Sequence, residues 1–404
     1  TLAHGFDYEV TDGDELAFRV KAEKLISDIE DQMELDQVEI EMPRENGEIV
    51  TVVADRGTIH LDSNSATLDG SVRARTEDGV ELRGERFEVV RDGRQLVSRS
   101  PVTFGKDGEY RGAARLLTYS IKNERLTLEG DVVIEGVAGS EADGSSVRSR
   151  SLTYDREEGT LRLEGNVRLI RGNEYMNAER LSLTLGENER DVRFVRAENG
   201  VSGRYLPEPG AGEIRSRVDF SGRLLYAAFE EGSRNAKQAE LRGRARQLAS
   251  FDVVDESGLS RVVSAPVVLA DFRNGEVAGA EAYEPVEIIE RHSFAPAFPL
   301  RRLCSERATV AFDGAGEVDT LTLDGNVDYQ AVDMQATGDR IVARGAGETA
   351  TIVGRPALAV TRRGDLQAPE IIYRSAGTVV AQGGVRAEMR EGRGTSLMGS
   401  GEST

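Results

Sequence analysis

The chain predicts an all-β fold: a long antiparallel sheet built from about ten short repeats. Three observations carry this prediction. The first is a five-residue word, clearest in Leu68-Asp69-Gly70-Ser71-Val72, Leu128-Glu129-Gly130-Asp131-Val132, Leu163-Glu164-Gly165-Asn166-Val167 and Leu323-Asp324-Gly325-Asn326-Val327. Looser copies centre on Ser100, Asn199, Gly243, Glu284, Gly354 and Gly383, so that consecutive centres lie 29 to 44 residues apart. A repeat at this spacing signals stacked architecture. The second observation is parity. Apolar residues recur two and four positions either side of the centre, with Asp, Glu, Arg, Asn and Ser between them, which is the period of a strand with one apolar face. The third is a set of turn signals between the words, Glu77-Asp78-Gly79, Arg91-Asp92-Gly93-Arg94, Lys106-Asp107-Gly108 and Glu157-Glu158-Gly159, where Asp-Gly is a strong hairpin cue.

The elements follow in order. The repeats are most regular over residues 50–206 and again over 318–390. A second word alternates with the first and places a small residue before apolar alternation, as in Arg111–Tyr119, Met176–Leu183 and Leu366–Tyr373. Each repeat therefore reads as antiparallel strands joined by tight turns, about 20–30 strands in all. Asp28–Leu35 has room for a helical turn or two, the nearest approach to a helix in the chain. Pro207-Glu208-Pro209-Gly210 reads as a joint, and His292–Arg302, with Pro296, Pro299, Phe294, Phe298 and Leu300, as an irregular insertion covering a sheet edge. The tail after Arg390 is polar and glycine-rich and reads as disordered.

On parity the central glycine shares the apolar face, where a missing side chain lets a strand bend sharply; a β-bulge is the alternative. Ten strands bending at one register would fold the sheet into a trough. The inner face then comprises Leu68 and Val72; Val102 and Phe104; Leu126, Leu128, Val132 and Ile134; Leu161, Leu163, Val167 and Leu169; and Leu321, Leu323, Val327 and Tyr329. The same parity also suits an ordinary closed sandwich core.

Composition excludes several classes. The 404 residues include 44 glycines, ten prolines and no tryptophan, which suits short strands and turns better than a helical core. With 51 basic against 71 acidic residues, the net charge of −20 opposes binding to nucleic acid, and aromatics at 5% offer few stacking platforms. No run approaches the roughly 18–20 apolar residues of a membrane-spanning helix. Cys304 is the only cysteine, so the chain forms no internal disulfide.

Catalytic signatures do not emerge. His4, His60 and His292 show no metal-ligand spacing. Gly314-Ala315-Gly316 and Gly345-Ala346-Gly347 lack the Gly-Lys-Ser/Thr of a phosphate loop and read as hairpin turns. The acidic pairs Asp12/Asp14 and Glu157/Glu158 follow no calcium-loop pattern, and no GxSxG elbow occurs. The expectation is a protein that is not an enzyme and uses neither cofactor nor metal.

Leu-Thr-Leu-Glu-Gly-Asp-Val at 126–132 and Tyr-Met-Asn-Ala-Glu-Arg-Leu at 175–181 resemble the OstA/LptA-like repeats of lipopolysaccharide export proteins. Gly5-Phe6-Asp7-Tyr8, Phe18-Arg19-Val20-Lys21-Ala22-Glu23 and Ser98-Arg99-Ser100-Pro101-Val102-Thr103 resemble the LptC member of that group. The resemblance implies a twisted, open β-jelly roll, or β-taco. It divides into an LptC-like part over 1–206, divergent repeats over 207–306, OstA-like repeats continuing the sheet over 307–390, and a tail, 391–404. It implies a periplasmic protein whose trough, lined by the inner-face residues named above, holds the acyl chains of lipid A. It further implies an inner-membrane lipopolysaccharide ABC transporter as partner at the N-terminal edge. An LptA-like or outer-membrane lipopolysaccharide-assembly β-jelly roll would pair at the C-terminal edge. An N-terminal membrane tether, absent from this sequence, is expected as well. The rival expectation is a structural or adhesive surface repeat protein with a closed core and no lipid cargo.

Overall fold

A computed structural model describes residues 3–12, 15–29, 31–44, 47–90, 94–140, 143–186, 191–206, 217–232, 235–244, 247–255, 257–273, 276–297, 299–313, 318–345, 348–374 and 378–389. These residues form 28 strands and no helix, and the strands pair in antiparallel ladders. The joint at 207–210, Asp14, Asp92-Gly93, Phe298, Gly314-Ala315-Gly316, Ala346-Gly347 and the tail 391–404 lie outside the described residues. The chain divides into two compact units, Thr1–Arg204 with Leu224–Arg234, and Tyr205–Arg223 with Asn235–Thr404.

The first unit begins with long strands: β1 (Ala3–Asp12), β2 (Glu15–Ile29), β3 (Gln32–Pro43), β4 (Ile49–His60), β5 (Ser65–Arg75) and β6 (Val80–Val90). Short strands follow, β7 (Gln95–Ser98), β8 (Val102–Lys106), β9 (Tyr110–Ala114) and β10 (Leu116–Ser120). Long ones then resume as β11 (Arg125–Gly136), β12 (Ser145–Asp155), β13 (Thr160–Arg171), β14 (Glu174–Leu185) and β15 (Val192–Tyr205). Neighbours in sequence are neighbours in the sheet, with one variation. β7 and β8 both pair with β6, and β9 and β10 both pair with β11. Each of these couples is thus one strand interrupted at the crease, β7–β8 by Arg99–Pro101 and β9–β10 by Arg115.

β16 (Arg217–Phe229) contributes to both units. The second unit continues with β17 (Ala236–Arg242), β18 (Ala249–Val254), β19 (Leu259–Ala265), β20 (Val267–Arg273), β21 (Glu276–His292) and β22 (Pro299–Phe312). It ends with β23 (Val318–Ala331), β24 (Met334–Arg344), β25 (Thr349–Thr361), β26 (Gly364–Arg374), β27 (Thr378–Gln382) and β28 (Arg386–Met389). β21 to β26 form a meander, and β27 and β28 both pair with β26.

Three sequence expectations need correction. Asp28–Leu35 is strand, turn and strand, because Met33 and Leu35 alternate with exposed residues as β3 requires. His292–Arg302 is no insertion: Arg291 pairs with Pro299 and Glu290 with Arg301, so it is the turn of the β21–β22 hairpin. The central glycine does not belong to the inner face. Gly70, Gly130, Gly165 and Gly325 have φ between 77° and 81°, and the residues after them, Ser71, Asp131, Asn166 and Asn326, are also at positive φ. Each pair forms a bulge in which two residues oppose one on the following strand, as Gly165 and Asn166 oppose Glu179. A Cβ on Gly130 would lie 2.8 Å from Arg115 Cβ, and one on Gly165 would lie 2.6 Å from Arg150 Cβ. Both arginines are exposed, so the glycine leaves room for an outward charged side chain. The extra residue of each bulge bends the strand, and the stacked bulges make the crease.

Candidate functional site

The site grows from the crease outward. The valine two positions past the centre of the word pairs with a small residue on a neighbouring strand: Val72 with Gly84, Val102 with Gly84 and Ala114, Val132 with Ser149, Val167 with Ala178, Val327 with Gly338. At a sharp inner bend two large side chains would collide, so a valine alternating with a small residue packs without strain. The second word in the sequence supplies these small residues. The leucine two positions before the glycine joins a parallel row, Leu128, Leu152, Leu163, Leu181 and Ala197, each partnered to the next and each buried. The second unit repeats that row as Ala308, Leu323, Ile341, Ile352 and Ile371. With only strands among the described residues, burial of one sheet face means that the sheet folds over on itself at the crease.

Farther from the crease two more apolar rows run strand to strand along the two walls. In the first unit one wall carries Leu126, Tyr154, Leu161 and Leu183, and the other Ile134, Val147, Leu169 and Met176. All eight are half-buried. In the second unit Leu321 and Tyr329 hold the corresponding places and are likewise half-buried. Burial pushes the Tyr329 phenol above its ordinary pKa, so it stays neutral. The sequence-predicted lining thus falls into two sets. Leu68, Val72, Val102, Phe104, Leu128, Val132, Leu163, Val167, Leu323 and Val327 are buried, whereas Leu126, Ile134, Leu161, Leu169, Leu321 and Tyr329 form the half-open walls. Sequence reasoning missed Val147, Tyr154, Met176 and Leu183, although their parity on the alternate strands marks the same face.

Several ion pairs lie on the outer face. Arg180 pairs with Glu198 at 2.7 Å, Arg307 with Glu281 at 2.8 Å and Arg340 with Asp324 at 3.2 Å. An outer depression of about 670 Å³ is lined by Arg99, Arg115, Glu129 and Arg150 among others. Arg115 is bound to Asp131 and Arg99 lies 3.7 Å from Glu88, so acids offset its charge. His4 is exposed, His60 lies 3.4 Å from Thr67 Oγ1, and His292 stacks on Phe294 at 4.9 Å. No group of His, Cys, Asp and Glu among the described residues has the arrangement of a metal site. Cys304 is half-buried, and burial raises its thiol pKa, which disfavours the reactive thiolate.

Residues 51–160 and 146–247 each match a family described as LptA/(LptD N-terminal domain) LPS transport protein. The two matches together span residues 51–247, just under half of the chain. They support an OstA-like lipopolysaccharide-transport domain over that stretch. No curated protein matches the chain.

Proposed function

We propose that this chain is a non-enzymatic carrier of lipopolysaccharide that holds lipid A acyl chains between the two half-open walls, in the periplasm. The observation that carries the reading is the pair of apolar rows at Leu126–Leu183 and Ile134–Met176, only half-buried on either side of a buried crease. Such surface is poorly tolerated by water, and each methylene buried there is favoured by roughly 0.8 kcal/mol. Sugars and phosphates would remain outside the walls in solvent. The match to a lipopolysaccharide-transport family over residues 51–247 supplies the cargo class.

The finer reading is that the chain is LptC-like, tethered to the inner membrane and supplied there by an ABC transporter. An LptA-like or outer-membrane β-jelly roll would receive the cargo by strand pairing at β27–β28. Among the described residues β27 and β28 each pair with β26 alone, which leaves their other edge for strand addition. The rival, a structural or adhesive repeat with no cargo, draws support from the fully buried interior of β3 to β6.

The test is a diazirine-bearing aliphatic amino acid placed at Leu161, Leu169 or Ile134, with outward Arg162 as control. Lipopolysaccharide adducts are expected at the three wall positions and not at Arg162. Their absence from all three wall positions would remove the carrier reading.

A further inference from the structure

The two apolar rows continue toward the N-terminus, and their character changes. One runs from Ala66 through Val89, Leu96 and Tyr119 to Leu126, and the other from Ala74 through Leu82, Phe104 and Gly112 to Ile134. From Ala66 to Tyr119 and from Ala74 to Phe104 every side chain is at most 8% exposed, whereas Gly112, which has no side chain, and Leu126 and Ile134 on β11 are only half-buried. Both walls thus change at the same place along the sheet.

A contact across the mouth lies at this change. Arg44 follows β3, which past Val38 runs along the wall of Ala74, since Val38 pairs with Ala54 and Met42 with Val50. Tyr119 sits on the opposite wall, in the row of Leu96 and Leu126. The Arg44 guanidinium lies 5.9 Å from the centre of the Tyr119 ring, and Arg44 Nη1 donates to Glu48 Oε2 at 2.7 Å. Only 4% of the Arg44 side chain is exposed, although a buried guanidinium carries a large desolvation cost. Ile121, two positions past Tyr119, is 2% exposed. Burial pushes the Tyr119 pKa up to about 12, so the ring remains a neutral phenol at working pH.

We infer that β2 to β10 form a closed stopper, clasped by Arg44 on Tyr119, and that acyl chains enter the first unit sideways through the open mouth beside β11. This rests on the carrier reading. The acyl-binding stretch then starts at the row Tyr154–Leu126 and Ile134–Val147, and a donor at the N-terminal edge hands its cargo past the stopper instead of through it. The clasp is also a gate, because parting Arg44 from Tyr119 would extend the groove toward Leu96.

The full chain tests this with the same diazirine residue at Leu96 and at Leu161, each exposed to lipopolysaccharide. Strong labelling at Leu161 and at least tenfold less at Leu96 is expected. Equal labelling at the two positions overturns the stopper, whereas no labelling at Leu161 overturns the carrier reading itself. This comparison needs no destabilising substitution. Tyr119→Ala and Arg44→Ala should each raise labelling at Leu96 severalfold while leaving Leu161 labelled, which also reports an intact groove. Tyr119→Phe, which keeps the ring, should leave Leu96 dark. If Leu96 stays dark in both alanine variants with Leu161 still labelled, the clasp assignment falls.

Discussion

Val167 and Ile134 are both apolar, inward and part of the same fold, yet they differ in what surrounds them. Val167 is 2% exposed against Ala178, and an aspartate there would bury an unpaired carboxylate at a cost of several kcal/mol. Ile134 is half-buried, so an aspartate there still reaches water. Val167→Asp should therefore lower the melting midpoint by circular dichroism by about ten degrees or more, and Ile134→Asp by only a few. Ile134→Asp should nevertheless abolish copurification of lipopolysaccharide. Equal unfolding by both variants would mark the walls as closed core. Asp155 offers a second residue-scale test. Its Oδ1 accepts from the Glu158 N–H at 3.0 Å and its Oδ2 from Arg125 Nε at 2.8 Å. The Glu158 amide, helped by Arg125, holds its carboxyl below the usual carboxylate range against the opposing effect of burial. A lowered folded pKa stabilises above the unfolded value of about 3.9 and loses that contribution as pH falls through the folded value. Asp155→Ala should cost about 2 kcal/mol at neutral pH in urea unfolding, and the gap from the parent should narrow below about pH 4. A gap independent of pH would refute the role of the charge.

The element that defines this fold is the bulge. Gly165 at φ 79° sits where a Cβ would meet Arg150 Cβ at 2.6 Å, whereas Gly172, at φ 56°, has open space around it. Alanine at Gly172 bears only the cost of the left-handed backbone, about 1 kcal/mol. Alanine at Gly165 adds a clash with a neighbouring strand. Gly165→Ala should thus lose at least about 1 kcal/mol more than Gly172→Ala by urea unfolding. Equal losses would show that the crease glycines serve φ alone. Where the word departs from its common form the crease is still kept, since Glu284–Pro285 stand at the register shift of β21 and Gly354-Arg355-Pro356 at that of β25. A bent strand is the common requirement, and several local sequences satisfy it.

At the scale of the molecule, the chain carries a net charge of −20 while the walls are apolar. In the proposed carrier, binding of lipopolysaccharide would be driven by apolar burial, and the phosphates of the cargo would be repelled by the acidic surface. Raising sodium chloride from about 0.05 M to about 0.5 M should hold or strengthen binding, because screening removes repulsion and leaves burial intact. Affinity falling steeply with salt, measured by titration with fluorescent lipopolysaccharide, would point to a charge-driven surface site instead.

Period-two alternation around Leu128 and Val132, with Asp-Gly turns, was enough to determine an antiparallel all-β chain and which residues face inward, because side-chain parity in a strand is a local property. The small residues opposite each valine, such as Ala178 and Ser149, were also legible, as a second word. The sense of the glycine was not, since parity cannot count the extra residue of a bulge and a positive φ leaves no mark in composition. Nor does any local signal separate Leu96 from Leu161: both are leucines in inward register. Only the tertiary structure makes one buried and the other half-open, because Arg44 and Tyr119 are 75 positions apart in sequence and meet only when the sheet folds across its crease.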